Sequence, residues 1–439
     1  MSIFLIKAFQ LILSLGILVF IHELGHFLFA RLFKIRVDKF YLFFDPWFSL
    51  IKYKPKGSHT EYGIGWLPLG GYCKISGMVD ESMDTKGWAS EAQAWEFRAK
   101  PAWQRLLVML GGVLFNVILA FAIYSGISYT WGDVKIPMKN VGDNLVYSSV
   151  GHRMGLQDGD LPVAIDKVEF KYFDESILQM ISKGEVLTVE RAGKLLDISI
   201  PTDLMRAIIS SDSTLYRLQP PCVIDAVLDG GEAHKAGLES GDKIIAVAEK
   251  ETSHLGEVID AISSAKGDSA TLLVIRGGEK IALRSYIDAE KGIGISFMPP
   301  AKALGVEEVS YGFFESIPVG IGKTFKRLGA YVSSLKYVAT KEGASKIGGL
   351  GTIGSLFPER FSWIDFWSMT AFLSVMLAVM NILPIPGLDG GHIIFLIFEI
   401  ITRRKLSIKV QERIQMAGLF FLLLLMLYAN VNDIRRFFF

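Results

Sequence analysis

The sequence predicts a polytopic α-helical membrane protein, with four transmembrane helices and a β-rich insert between the second and third. Three observations point there: long apolar runs toward both ends, charge concentrated in the middle, and a motif repeated within that charged middle. An apolar content of 51% over 439 residues, with a mean hydropathy of +0.36, is high for a wholly soluble chain. A formal charge of +1 provides no broad basic field, which excludes a nucleic-acid-binding class. Cys73 and Cys222 are too few for a disulfide framework or a cysteine-based zinc site.

Residues 1–33 form the first span, apolar except for Lys7, Gln10 and the group His22-Glu23-Leu24-Gly25-His26. The run is long enough to cross about 30 Å of hydrocarbon and too long for a signal peptide. Residues 34–105 form a cytoplasmic, membrane-associated segment. Within it Glu61–Ile75 alternates small and apolar residues and reads as a hairpin dipping into the membrane, and Ala92–Arg105 reads as an interfacial helix. The second span, 106–131, carries Gly111, Gly112 and Asn116, which favour a helix partner over lipid. A periplasmic connecting segment is expected over 301–362. The third span, 366–401, is broken by Pro384, Pro386, Gly387, Gly390 and Gly391, and the fourth covers 414–432. Basic residues after the first span and between the third and fourth place those loops in the cytoplasm, so the insert and both termini face outward. Arg435 and Arg436 pull weakly the other way.

The insert contains a repeat. His152–Val168 aligns with His234–Glu249, so that Gly155, Gly159 and Asp160 fall on Gly237, Gly241 and Asp242, each followed by a strand pattern. Thr188–Gly193 and Leu273–Gly278 read as matching hairpins. Two β-rich domains follow, 134–215 and 216–300. The A-G-L-x-x-G-D-x-I-x-x-V pattern of Ala236–Val247 resembles PDZ domains, which implies a groove for peptide termini or substrate ectodomains.

The chemistry rests on H-E-x-x-H. Histidines four apart share one helical face and can converge on zinc, with Glu23 beside them as a general base. Two histidines and a glutamate within a lipid-spanning helix mark a functional site. A catalytic zinc needs a third protein ligand. Asp389 is the only acidic residue of the broken motif Asn381–His392, and His392 is its rival one turn on.

HELGH together with N-x-x-P-x-P-x-x-D-G resembles the site-two protease family of intramembrane metalloproteases, and the order of parts resembles its bacterial members with tandem PDZ domains. The resemblance implies Zn2+ held by His22, His26 and Asp389, with Glu23 as catalytic base and His392 in a helix-start or supporting role. It further implies that Asn116 and Asn381 hold substrate backbone, and that the Glu61–Ile75 segment, through Gly65, Leu67 and Gly70, receives an unwound substrate. Val113 and Leu350 stand where many members carry proline. The implied location is the bacterial inner membrane, with periplasmic PDZ domains and the active site toward the cytoplasm. The implied substrates are single-span membrane proteins such as anti-sigma factors and remnant signal peptides, with the PDZ pair as a size filter. The competing reading is a PDZ-bearing scaffold or chaperone with a vestigial metal site, against which an intact Glu23 argues.

Overall fold

The computed structural model describes residues 3–438 apart from 69, 79–90, 175, 212–213, 253, 289–291, 339 and 341–347. Parts of the expected cytoplasmic segment (79–90) and connecting segment (341–347) therefore lie outside the described residues. The chain divides into two units, Met1–Gly132 with Ser310–Phe439, and Asp133–Val309.

The first unit is helical and carries one small sheet that packs on its first helix. Its main helices are α1 (Ile3–Leu32), α2 (Ala102–Trp131), α3 (Phe313–Val338), α4 (Trp363–Ile382), α5 (Asp389–Thr402) and α6 (Ile408–Phe438). Of these, α1, α2, α4 and α6 are long and apolar enough to cross a membrane. Backbone proximity sets how α1 meets α2: a Cβ at Gly25 would lie 2.2 Å from the Gly111 carbonyl oxygen, so only glycine permits the crossing. The expected third span is two helices, because Pro384 and Pro386 lack the N–H a helix needs and Gly387 takes φ +93°. The chain turns there and restarts at Asp389.

The expected connecting segment is largely helix. α3 belongs to this unit and packs on α2 through Ser316, Gly320 and Thr324, an i, i+4, i+8 stripe of small buried residues. Lys323 reaches Ser128 Oγ at 2.7 Å.

Two expectations for residues 34–105 are corrected. Glu61–Ile75 is not a hairpin. Strands β1 (Val37–Leu42), β2 (Phe44–Tyr53), β3 (Glu61–Leu67) and β4 (Tyr72–Ile75) form one sheet in the order β2-β3-β1-β4, and β1 separates the two strands expected to pair. Ala92–Arg105 is not an interfacial helix. Pro101 holds Lys100 extended at ψ 154°, Arg36 N–H and Phe97 N–H bond to the carbonyls of Trp95 and Ser76, and Phe97 is buried with Ile35, Val108 and Met109. Phe97 enters a core while Trp95 and Trp103 stay exposed, and α2 starts at Ala102.

The second unit has two separate hydrophobic cores built to the same plan. Each pairs its first short strand with its last, Leu145–Tyr147 with Tyr216–Leu218 and Ile224–Val227 with Ile295–Phe297. Each also packs a strand (Leu161–Ile165, Lys243–Val247) against a hairpin (Val186–Arg191 with Lys194–Ser199, Ser269–Arg276 with Glu279–Tyr286). The division expected at 215/216 moves past Leu218, because Tyr216–Leu218 closes the first core. The repeated aspartates do one job twice. Asp160 takes Arg191 Nε and Nη2, each at 2.7 Å, and Asp242 takes Arg276 at 2.7 and 2.8 Å. The same guanidinium reaches the carbonyl of Gly155 or Gly237 at 2.7 Å, so the aligned glycine, aspartate and arginine form one clamp.

Candidate metal centre

His22 and His26 face the same side of α1, and Asp389 arrives at the first position of α5. His22 Nε2 and His26 Nε2 are 3.2 Å apart and lie 3.2 and 3.4 Å from Asp389 Oδ2. Among the described residues this is the one cluster of metal-ligand type. His392 lines the same cavity but stands outside the triangle.

Three features of the geometry fit zinc. Tetrahedral ligands about 2.0–2.1 Å from a zinc ion sit roughly 3.3 Å from one another, the spacing seen here. Asp389 Oδ2 is buried and has no hydrogen-bond partner among the described residues, which a cation would satisfy. Close approach of α2 leaves the space free: a Cβ on Gly112 would come within 2.5 Å of His26 Nε2 and His22 Cε1.

The histidines are oriented from behind. His26 Nδ1–H donates to the Val108 carbonyl at 2.9 Å, leaving the Nε2 lone pair for the metal. Asn116 Nδ2 stands 3.1 Å from His22 Nδ1, and the amide oxygen has no partner among the described residues. Turned by 180°, the amide would present that oxygen to Nδ1–H, and His22 would take the same tautomer as His26. Ser374 Oγ donates to the Asn116 carbonyl at 2.7 Å and ties α4 to α2 at this level.

A cavity of about 740 Å³ opens on the cluster, lined by Glu23, Leu67, Gly71–Ile75 and Asn381 among others. Glu23 is half-buried and accepts the backbone N–H of Cys73 in β4. The residues expected to touch substrate divide. Asn381 lines the cavity with Nδ2 3.2 Å from His22 Nε2, and Leu67 is on the wall. Asn116 is fully buried behind His22 and outside the lining. Gly65 and Gly70 serve packing, since a Cβ would lie 2.1 Å from the Phe44 carbonyl oxygen at the former and 2.7 Å from the Phe44 ring at the latter.

The model of peptidase family M50 matches residues 10–425. The chain belongs to that family. A "Putative zinc metalloprotease" of Treponema pallidum is 29% identical over 456 residues, covering 98% of this chain and 99% of that protein. The "Regulator of sigma-E protease RseP" of Salmonella typhimurium is 28% identical over 454 residues, covering 97% of each. This M50 chain is thus a zinc metalloprotease of intramembrane proteolysis, and a multi-pass membrane protein. Sequence reasoning missed the Cys73 N–H on Glu23, the Val108 carbonyl behind His26 and the space kept by Gly112, since none is a side-chain motif.

Proposed function

We propose that the chain hydrolyses a peptide bond in the unwound transmembrane segment of single-span membrane proteins, with His22, His26 and Asp389 as zinc ligands and Glu23 as general base. The observation that carries this reading is the placement of Glu23 and the His22–His26–Asp389 triangle on one cavity with the edge strand β4. Bound zinc supplies Lewis-acid activation of water and of the scissile carbonyl. Glu23, held by the Cys73 N–H, takes the proton of the attacking water and returns it to the leaving amine.

A helical substrate hides its peptide groups in its own hydrogen bonds and must be unwound first. The receiving edge is β4 in place of β3, because β3 is paired on both sides by β1 and β2, whereas among the described residues β4 is paired only with β1. Asn381 and Leu67 contact substrate from the cavity wall, and Asn116 acts on it only through His22.

In the second unit, the duplicated plan and the A-G-L-x-x-G-D motif support two PDZ-like domains, which take peptide termini or restrict substrate size. Basic-residue asymmetry supports placing them in the periplasm, in a chain of the bacterial inner membrane. Kinship to a regulator of sigma-E protease supports substrates of the anti-sigma-factor kind, and remnant signal peptides are a second single-span class that the same site would accept.

Cleavage of a model single-span substrate decides the matter. Wild type is expected to cleave, and chelator to stop it. Glu23→Gln is expected to lose about 100- to 10,000-fold while retaining zinc. Equal behaviour of all three would favour the scaffold reading and end this one.

A further inference from the structure

The fourth span carries a polar side chain that lipid exposure does not explain. Gln415 on α6 is 6% exposed and lines the cavity that holds Glu23 and Asp389. Its Oε1 accepts the backbone N–H of Gly387, two residues before Asp389. Its Nε2 is buried and has no partner among the described residues. Polar groups at membrane depth are expensive and normally paired, and loop docking uses only half of this amide.

Packing fixes where the unused half stands. A Cβ on Gly418 would lie 1.9 Å from the Pro386 carbonyl oxygen, and one on Gly387 would lie 3.0 Å from Leu419 N. The backbone of α6 therefore seats directly on the Pro386–Gly387 turn, and Gln415 keeps a constant relation to the ligand that follows that turn. With Oε1 held by Gly387, the planar amide cannot rotate without breaking a bond, so its NH2 is a preoriented donor on the cavity wall. What such a donor lacks is a carbonyl. An unwound substrate laid along β4 presents one edge to that strand and leaves carbonyls on its other edge unpaired.

We propose that Gln415 Nε2 donates a hydrogen bond to a main-chain carbonyl of the bound, unwound substrate, which makes the fourth span part of the substrate site. This rests on reading the cavity as the site of peptide cleavage.

The test uses the full chain in detergent or proteoliposomes with a model single-span substrate. Gln415→Glu keeps the oxygen that holds Gly387 and removes the amide donor. Zinc content equal to wild type is expected, with kcat/KM about tenfold lower and most of the change in KM. In a Glu23→Gln background with Cys73 and Cys222 replaced by serine, and with copper–phenanthroline and oxygen as the oxidant, Gln415→Cys should form disulfides with substrate cysteines at one or two positions beside the scissile bond. Zinc lost in step with activity, an unchanged KM, or an absence of cross-links would each overturn the proposal. Wild type that binds zinc but fails to cleave sinks the protease reading instead. Wild-type cleavage with unaltered Gln415→Glu kinetics sinks only the hydrogen bond.

Discussion

Replacing Gly112 with alanine adds one methyl group to α2 at the point where that helix faces His22 and His26, the proposed zinc ligands. The new carbon would lie 2.5 Å from His26 Nε2 and from His22 Cε1, and 2.8 Å from His22 Nδ1. Ordinary contact begins near 3.4 Å, so the imidazoles must retreat by about 0.9 Å or the helices must part by as much. Parting would open the backbone contact that Gly111 and Gly25 make one residue earlier and lose its packing. A metal–ligand distance tolerates only about ±0.2 Å. The expected outcome is a fall in zinc affinity of at least 10- to 100-fold, the range for lost support of a ligand. Competition with a chromophoric chelator, together with metal content after gel filtration, measures it. Gly126→Ala on the same helix is the control, because its Cβ meets nothing within 4 Å. Zinc affinity of Gly112→Ala within twofold of wild type would refute the reasoning.

Other outcomes follow from neighbouring contacts. Asn116→Ala removes the partner of His22 Nδ1 and should weaken zinc binding about 10- to 100-fold without altering KM, and a rise in KM alone would restore its role as a substrate contact. Arg105 and Glu399 form an ion pair between α2 and α5, with side chains 8% and 14% exposed. Arg105→Met should destabilise by about 3–5 kcal/mol in thermal unfolding, and the exchanged pair Arg105→Glu with Glu399→Arg should recover part of it. In the second repeat, burial pushes the Asp242 carboxyl up, but Arg276 and the Glu239 N–H more than offset this and hold it below its ordinary value. A lowered folded-state value means that its stabilisation is complete above about pH 4 and fades as pH falls through that lowered value. Hydrogen exchange in Lys243–Val247 should show this acid lability, and Asp242→Asn should remove it. An Asn variant with the same acid dependence would exclude Asp242 as its source.

What could be read from the sequence was whatever depended on residue identity at fixed spacing. Histidines four apart share a helix face wherever the helix lies, so His22 and His26 needed no tertiary knowledge. The duplicated Gly155–Asp160 and Gly237–Asp242 segments announced two similar domains because both copies keep the clamp that the hairpin arginine closes. The failures share a cause. Glu61–Leu67 and Tyr72–Ile75 alternate as a hairpin would, yet β1, twenty to thirty residues earlier, inserts between them, and alternation does not encode strand order. Trp95, Phe97 and Trp103 among charges look interfacial until Phe97 is found in a core. In α3, four basic residues and Pro318 mask a small-residue stripe at helical spacing that was legible by its i, i+4, i+8 period.

The same distinction explains why Asn116 was assigned to substrate. Its place four residues after Gly112 marks a buried helix face, and such a face can look toward the cavity or toward the ligand behind it. The direction is decided by α1, which crosses at Gly25–Gly111 and so brings His22, one turn before Gly25, against the turn of α2 that carries Asn116. A glycine contact between two helices thereby sets Asn116 against His22 Nδ1 and leaves Nε2 facing Asp389. A polar residue on the second span should accordingly be read through the glycines that set its helix crossing before it is assigned to substrate.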